Sequence, residues 1–182
     1  MKVIFIRHGE SQANKDGVIA GSRLDSPLTK KGISDAKLTA SNLQSLRHEI
    51  NYVISSPLIR ALDTARIIIA ELVLDTEIEI MSEFAERDAG SATGAKKGDR
   101  TFALMDMADK ANEAETSREM YDRLKRGVDK LKKLNGTVLV ASHNGAIKAV
   151  RAVLAGLPPD EFKNMPDLPN GEMFVWENTK DS

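Results

Sequence analysis

The chain has 182 residues, 41% of them hydrophobic and 29% charged, with a formal net charge of −1 and no cysteine. That size suits one globular domain with a sizeable core, the near-neutral balance provides no global field for nucleic acid or an anionic membrane, and disulfides and thiolate zinc sites are excluded. No apolar run approaches the roughly 20 residues of a membrane-spanning helix and the charge-interrupted start lacks a signal-peptide core, so a soluble cytoplasmic protein is expected.

In chain order, Val3 to Ile6 is a short apolar run without alternation, as in a strand buried on both faces. It runs directly into Arg7-His8-Gly9-Glu10. Thr29 is a plausible N-cap for a helix whose apolar stripe is Ile33, Ala36, Ala40, Leu43 and Leu46. Tyr52-Val53-Ile54 reads as a second strand, ending in Ser55-Ser56-Pro57. Pro57 suits the first position of the next helix, with stripe Leu58, Leu62, Ala65, Ile69 and Leu72. The polar, Ala/Met-rich stretch from Ala95 to Thr116 reads as a short helical excursion. Met120, Leu124, Val128, Leu131 and Leu134 mark another helix, stopped by Asn135-Gly136. Thr137 to Ala141 is a third strand, followed by Ser142-His143-Asn144-Gly145 and a helix over Ala146 to Leu154. Phe174-Val175-Trp176 reads as an edge strand. The alternation implies a single three-layer α/β/α domain over residues 1–182, its sheet mostly parallel with an antiparallel edge strand.

In such sheets ligands gather beyond the carboxyl ends of the strands. Arg7-His8, Arg60 and His143 follow three different strands and therefore converge on one rim. Arginine can hold two phosphate oxygens at once, and helix N-termini offer free N–H groups to an anion. Gly9 and Gly145 clear side chains where backbone must approach a ligand. A neutral imidazole between two guanidiniums is a competent nucleophile, because the positive charges oppose its protonation. Phosphoryl transfer also needs a proton donor for the leaving oxygen. Glu83, Glu86 and Asp88 are the candidates, and spacing alone does not choose among them. His48 and the basic run Arg123 to Lys133 read as solvated surface.

Arg7-His8-Gly9-Glu10-Ser11, Asp25-Ser26-Pro27-Leu28-Thr29 with Gly32, Ser55-Ser56-Pro57-Leu58-Ile59-Arg60-Ala61, Glu86-Arg87-Asp88-Ala89-Gly90 with Gly94, Glu115-Thr116 with Glu119 and Arg123, Ser142-His143-Asn144-Gly145 and Leu168-Pro169-Asn170-Gly171 occur in this order. The set resembles the histidine phosphatase superfamily in its phosphoglycerate mutase-like branch. The resemblance implies that His8 is the phosphorylated nucleophile, that Arg7, Arg60 and His143 bind the phosphoryl oxygens, and that Glu86 exchanges the proton. It adds Asn14 as a phosphate or substrate ligand, and Asn144 and Arg87 belong to the same expected binding set. It implies no metal and no redox cofactor.

The chain departs from the family pattern at Ala89, Ser91 and Ala92, where bulkier residues are usual. Asp35 stands for a glutamine, Asn144 for a glycine, and a lone Arg100 for the mutases' paired arginine. The expected function is metal-independent hydrolysis of a small phosphomonoester. One alternative is a phosphoglycerate mutase primed by 2,3-bisphosphoglycerate, and another is a non-catalytic phospho-ligand binding domain. Small residues near the loop imply a roomy pocket.

Overall fold

In the computed structural model, which describes residues 1–98 and 113–178, the apolar run after Met1 forms strand β1 (Lys2–Arg7). Strands β2 (Ile50–Ser55), β3 (Ile78–Ile80), β4 (Thr137–Ser142) and β5 (Met173–Glu177) complete a five-stranded sheet in the order β3-β2-β4-β1-β5. β1, β2, β3 and β4 run parallel, and β5 pairs antiparallel with β1 at the edge. The helices are α1 (Gln12–Lys15), α2 (Lys30–Leu43), α3 (Ile59–Leu72), α4 (Ser117–Leu131) and α5 (Asn144–Leu154).

The two-residue period of β1 divides the core. Ile4 and Ile6 pack with Ala40 and Leu43 of α2 and with Ala61, Ala65 and Ile68 of α3. Val3 and Phe5 face the other way, onto Met120, Leu124 and Val128 of α4 and Ile147 and Val150 of α5. Three layers follow, and β4, buried at every position, lies at the centre. Among the described residues no helix is long and apolar enough to cross a membrane.

Register levels the strand ends that matter. Arg7 pairs with Ser142, and Ser55 with Ala141. Arg7-His8, Ser55-Ser56 and Ser142-His143 therefore leave the sheet side by side.

Three local expectations need correction. β3 has no counterpart in the sequence reading: it is a three-residue edge strand, Ile78-Glu79-Ile80, with Ile80 54% exposed, so no buried apolar run marks it. Pro57 does not start α3. Leu58 is the N-cap and helix begins at Ile59, whose N–H donates to Asp25 Oδ1 at 2.9 Å. That cap comes from a remote segment and leaves no local signal. α4 ends at Leu131 rather than at Asn135-Gly136. Gly136, at φ 93°, instead turns the chain into β4 against the Asn51 side chain, which accepts from Thr137 N–H at 2.9 Å. The Ala95–Thr116 excursion lies, for residues 99–112 and thus for Arg100, outside the described residues.

Candidate active site

β1 ends at Arg7, and His8 follows in the loop that leads to α1. His8 is 4% exposed, and its Nδ1 lies 2.7 Å from the Gly9 carbonyl oxygen. A carbonyl only accepts, so Nδ1 carries the proton and Nε2 keeps its lone pair. Gly9 N–H donates to Thr64 Oγ1 at 3.1 Å, and that hydroxyl donates to the Arg60 carbonyl at 2.7 Å. Thr64 thus anchors Gly9, the residue whose carbonyl fixes the His8 tautomer. The His8 pKa is pushed well below its ordinary value by burial first and by Arg60 next, with Arg7 and Lys97 adding to the effect. The imidazole is therefore neutral at pH 7.

His143 is fully buried at the N-cap of α5, its ring edge-on to His8 with centroids 5.1 Å apart. Its Nε2 lies 2.7 Å from Ser56 Oγ, and Ser56 Oγ also accepts from Leu58 N–H at 3.3 Å. The Ser56 hydroxyl proton is then available to His143 Nε2, which leaves Nδ1 as the N–H. That Nδ1 and Arg7 Nε are buried without a hydrogen-bond partner among the described residues. An unpaired buried donor costs about 1–3 kcal/mol, and two of them beside a neutral imidazole suit a ligand with anionic oxygens.

The arginines are held by main-chain carbonyls. Arg7 Nη1 donates to Leu168 O at 2.5 Å. Arg60, 2% exposed, donates to Gly21 O at 2.8 Å and Leu24 O at 3.2 Å. Glu86 accepts from Arg87 N–H at 2.9 Å and from Gly145 N–H at 3.2 Å. Arg7, His8, Arg60, Glu86, Arg87, Asn14 and Asn144 all border one cavity of about 560 Å³, a small-molecule volume. His143 lies just behind its wall.

The outer members of the expected set are more constrained. Asn14 Oδ1 accepts from Ser11 N–H at 3.1 Å and Asn170 Nδ2 at 3.2 Å, so only its amide NH₂ could serve a phosphoryl oxygen. Asn144 donates to Asp167 Oδ1 and accepts from Leu168 N–H, both at 2.9 Å. Its side chain ties down the closing segment that holds Arg7. Arg87, 7% exposed, donates from Nε to Glu115 O at 2.8 Å.

Two inferences about small residues also change. A Cβ on Gly9 would meet Gly32 O at 2.1 Å, and one on Gly145 would meet Glu86 Oε1 at 2.5 Å. These glycines admit neighbouring protein before any ligand. Ala89 and Ala92 do not open the pocket: they are buried against Ile19, and Gly21 packs against Ala89. Asp35 accepts from Glu10 N–H at 3.0 Å, a bond that a glutamine carbonyl could also make.

Sequence reasoning missed Ser56, Thr64 and Lys97. Ser56 and Thr64 lay inside matched motifs without a role of their own. Lys97 borders the cavity, and its pKa is lowered by partial burial first and by the Arg7 charge second. Lys96-Lys97 has no spacing signal that singles it out. Among the described residues no cluster of three or more His, Asp or Glu could hold a metal ion.

The buried imidazoles set a pH dependence. The His143 pKa is also held well below its ordinary value, by burial first and then by Arg60. In the unfolded chain both histidines titrate near 6.5. Below about that pH the unfolded chain binds more protons than the folded one, so stability falls as pH drops. Glu83, Asp129 and Asp167 are shifted down from ordinary carboxylate values, so their contributions disappear only below about pH 4. Calorimetry should show Tm declining between about pH 6.5 and 5, with a shallower decline in His8→Ala. A flat Tm over that interval would contradict the assignment.

The histidine phosphatase superfamily (branch 1) matches residues 3–181. An uncharacterized phosphatase, PhoE, of Bacillus subtilis is 34% identical over 160 residues, 87% of this chain and 79% of its own length. A 2,3-bisphosphoglycerate-dependent phosphoglycerate mutase of Thermoplasma acidophilum is 32% identical over 179 residues, 96% of this chain and 86% of its own. The structure of a mycobacterial glucosyl-3-phosphoglycerate phosphatase superposes with a TM-score of 0.78 over 96% of this chain and 91% of that one, at 20% identity, a likeness of fold alone.

Proposed function

The chain belongs to the histidine phosphatase superfamily, branch 1, and from that membership we propose that it is a metal-independent phosphomonoesterase acting on a small phosphorylated metabolite. The observation that carries this reading is the His8 tautomer, with the Nδ1 proton engaged by Gly9 O and a neutral Nε2 among Arg7, Arg60 and His143.

In the proposed reaction Arg7, Arg60 and the His143 Nδ1 proton hold the phosphoryl oxygens. His8 Nε2 attacks phosphorus as the ester P–O bond breaks in line. Glu86 gives its proton to the departing oxygen. Phospho-His8 retains its Nδ1 proton, and the Gly9 carbonyl opposite stabilises the resulting positive ring. Glu86 then takes a proton from water as water attacks phosphorus, which restores His8 and releases phosphate. Positioning and fixed charge supply most of the rate in such a transfer.

One observation favours a second reading, the mutase. Lys97 adds a cation to the cavity beyond the phosphoryl clamp, where the carboxylate of a phosphoglycerate could lie. In that case phospho-His8 returns its group to a substrate hydroxyl, with 2,3-bisphosphoglycerate as primer.

The test is a phosphate-release screen over varied phosphomonoesters, run beside a 3-phosphoglycerate assay with and without 2,3-bisphosphoglycerate. Phosphate release with an acid-labile, alkali-stable phosphoenzyme is expected. Rapid 2-phosphoglycerate formation with little free phosphate would select the mutase. Uniform inactivity would select phospho-ligand binding without turnover.

A further inference from the structure

A proton donor must be held to within a few tenths of an ångström, yet Glu86 sits on a segment without helix or strand, between the turn Ser82–Phe84 and the turn Gly90–Ala92. Its surroundings supply the rigidity. Arg123, in the second turn of α4, donates from Nη1 to Glu83 O at 2.7 Å and to Ala85 O at 3.0 Å. From Nε and Nη2 it forks onto both oxygens of Glu115, each at 2.7 Å. Glu115 Oε2 in turn accepts from Asp88 N–H at 3.3 Å. The Glu115 main chain bonds the same strip, accepting from Arg87 Nε and donating from N–H to Asp88 O at 3.0 Å. One guanidinium thus fixes the carbonyl just before Glu86 and, through one carboxylate, the N–H two residues after it. Both side chains are mostly shielded, at 18% and 14% exposure, so these charge-assisted bonds are weakly screened.

We infer that Arg123, with Glu115, is the positioning residue for Glu86, acting through the main chain on both sides of the acid and never on substrate. This rests on the reading of Glu86 as proton donor. The planar fork is essential: a lysine carries the same charge but cannot reach a carboxylate bidentately and two carbonyls at once. The Arg123 position matters for proton delivery to the leaving group, whereas the phosphoryl clamp of Arg7, Arg60 and His143 is built from other elements.

The test compares phenyl phosphate and 4-nitrophenyl phosphate, two esters of nearly the same shape. Phenolate is about as basic as the tyrosine side chain, pKa near 10, and needs a proton as it leaves; 4-nitrophenolate is a far weaker base and needs it much less. kcat/KM is measured, because it reports the step in which the leaving group departs. In the reference variant Glu86→Gln the loss is expected to be about 100-fold on phenyl phosphate and about tenfold or less on the nitro ester. Arg123→Lys is expected to follow the same pattern, losing about tenfold on phenyl phosphate and under about threefold on the nitro ester. In a Glu86→Gln background it should add no selective loss, since both act in one unit. Glu115→Gln, which preserves volume but turns an NH₂ toward the guanidinium, is expected to show the same selectivity and carries the test if Arg123→Lys does not fold.

Equal losses on both esters in Arg123→Lys and Glu115→Gln, or none, overturn the inference while leaving Glu86 as the donor. Equal losses in Glu86→Gln itself overturn the donor assignment, and the inference with it.

Discussion

His8→Ala is expected to lower kcat by at least about 10⁴-fold and to abolish the phosphoenzyme. The expectation follows from chemistry at one atom. Nε2 is the lone pair that the Gly9 hydrogen bond leaves exposed, and the chain contains no cysteine to replace it. His143 is a poor substitute, because its Nε2 is engaged by Ser56 and its Nδ1 carries the proton. Phosphate binding should survive, since Arg7, Arg60 and His143 are anchored by Leu168 O, Gly21 O and Ser56 and not by His8. The fold should survive too: His8 borders an existing cavity, so truncation enlarges open space more than it empties a packed core. Quench experiments with a labelled ester would show the missing phosphoenzyme, and calorimetric titration with inorganic phosphate would show retained binding. Turnover within tenfold of the parent would sink the covalent mechanism.

The convergence on His8 was legible in the sequence because parallel strands have few solutions. Val3–Ile6, Tyr52–Ile54 and Thr137–Ala141 are apolar runs too short for helices, and each ends directly in a chemistry-bearing residue. Once the strands are parallel and in register, their ends must lie together. What stayed hidden depends on contacts between remote segments. The edge strand Ile78–Ile80 carries no buried stripe, and the true start of α3 is set by Asp25. The need for glycine at position 9 comes from the carbonyl of Gly32, some two dozen positions along the chain. Glu86 could be chosen over Glu83 and Asp88 only through family resemblance, and the structure gives the three carboxylates different surroundings. Glu83 is drawn outward into an ion pair with Lys130, and Asp88 Oδ1 is occupied by Arg23 at 2.7 Å. Glu86 alone of the three borders the cavity, held by the N–H of the adjacent Arg87 and by that of Gly145 in the first turn of α5. The contacts of Arg123 with this segment were hidden for a similar reason. Along the helix it is one cation in a basic run, and only the packed structure turns it inward.

In the proposed mechanism Arg60 is where burial, charge and catalysis meet. It is 2% exposed, bonded to Gly21 O and Leu24 O, and 4.0 Å from Asp25, and it is the largest charge effect depressing both His8 and His143. Arg60→Gln is expected to lower kcat/KM by about 10³-fold, the scale of losing a principal charge-stabilising donor. It should also move the acid limb of the pH profile. A neighbouring cation opposes formation of imidazolium, so its removal raises the His8 pKa, and the nucleophile is lost at a higher pH than in the parent. Arg60→Lys separates the two effects. It keeps the charge, so the acid limb should stay near its original place. Yet kcat/KM should still fall, by about 10–100-fold, because an ammonium cannot hold two phosphoryl oxygens and two carbonyls in one plane. The measurement is kcat/KM for one good ester from about pH 4.5 to 8, bracketing the ordinary histidine range. An acid limb that does not move in Arg60→Gln would mean that burial alone keeps His8 neutral. A limb that moves equally in both variants would mean that the guanidinium acts by shaping the site and not by its charge.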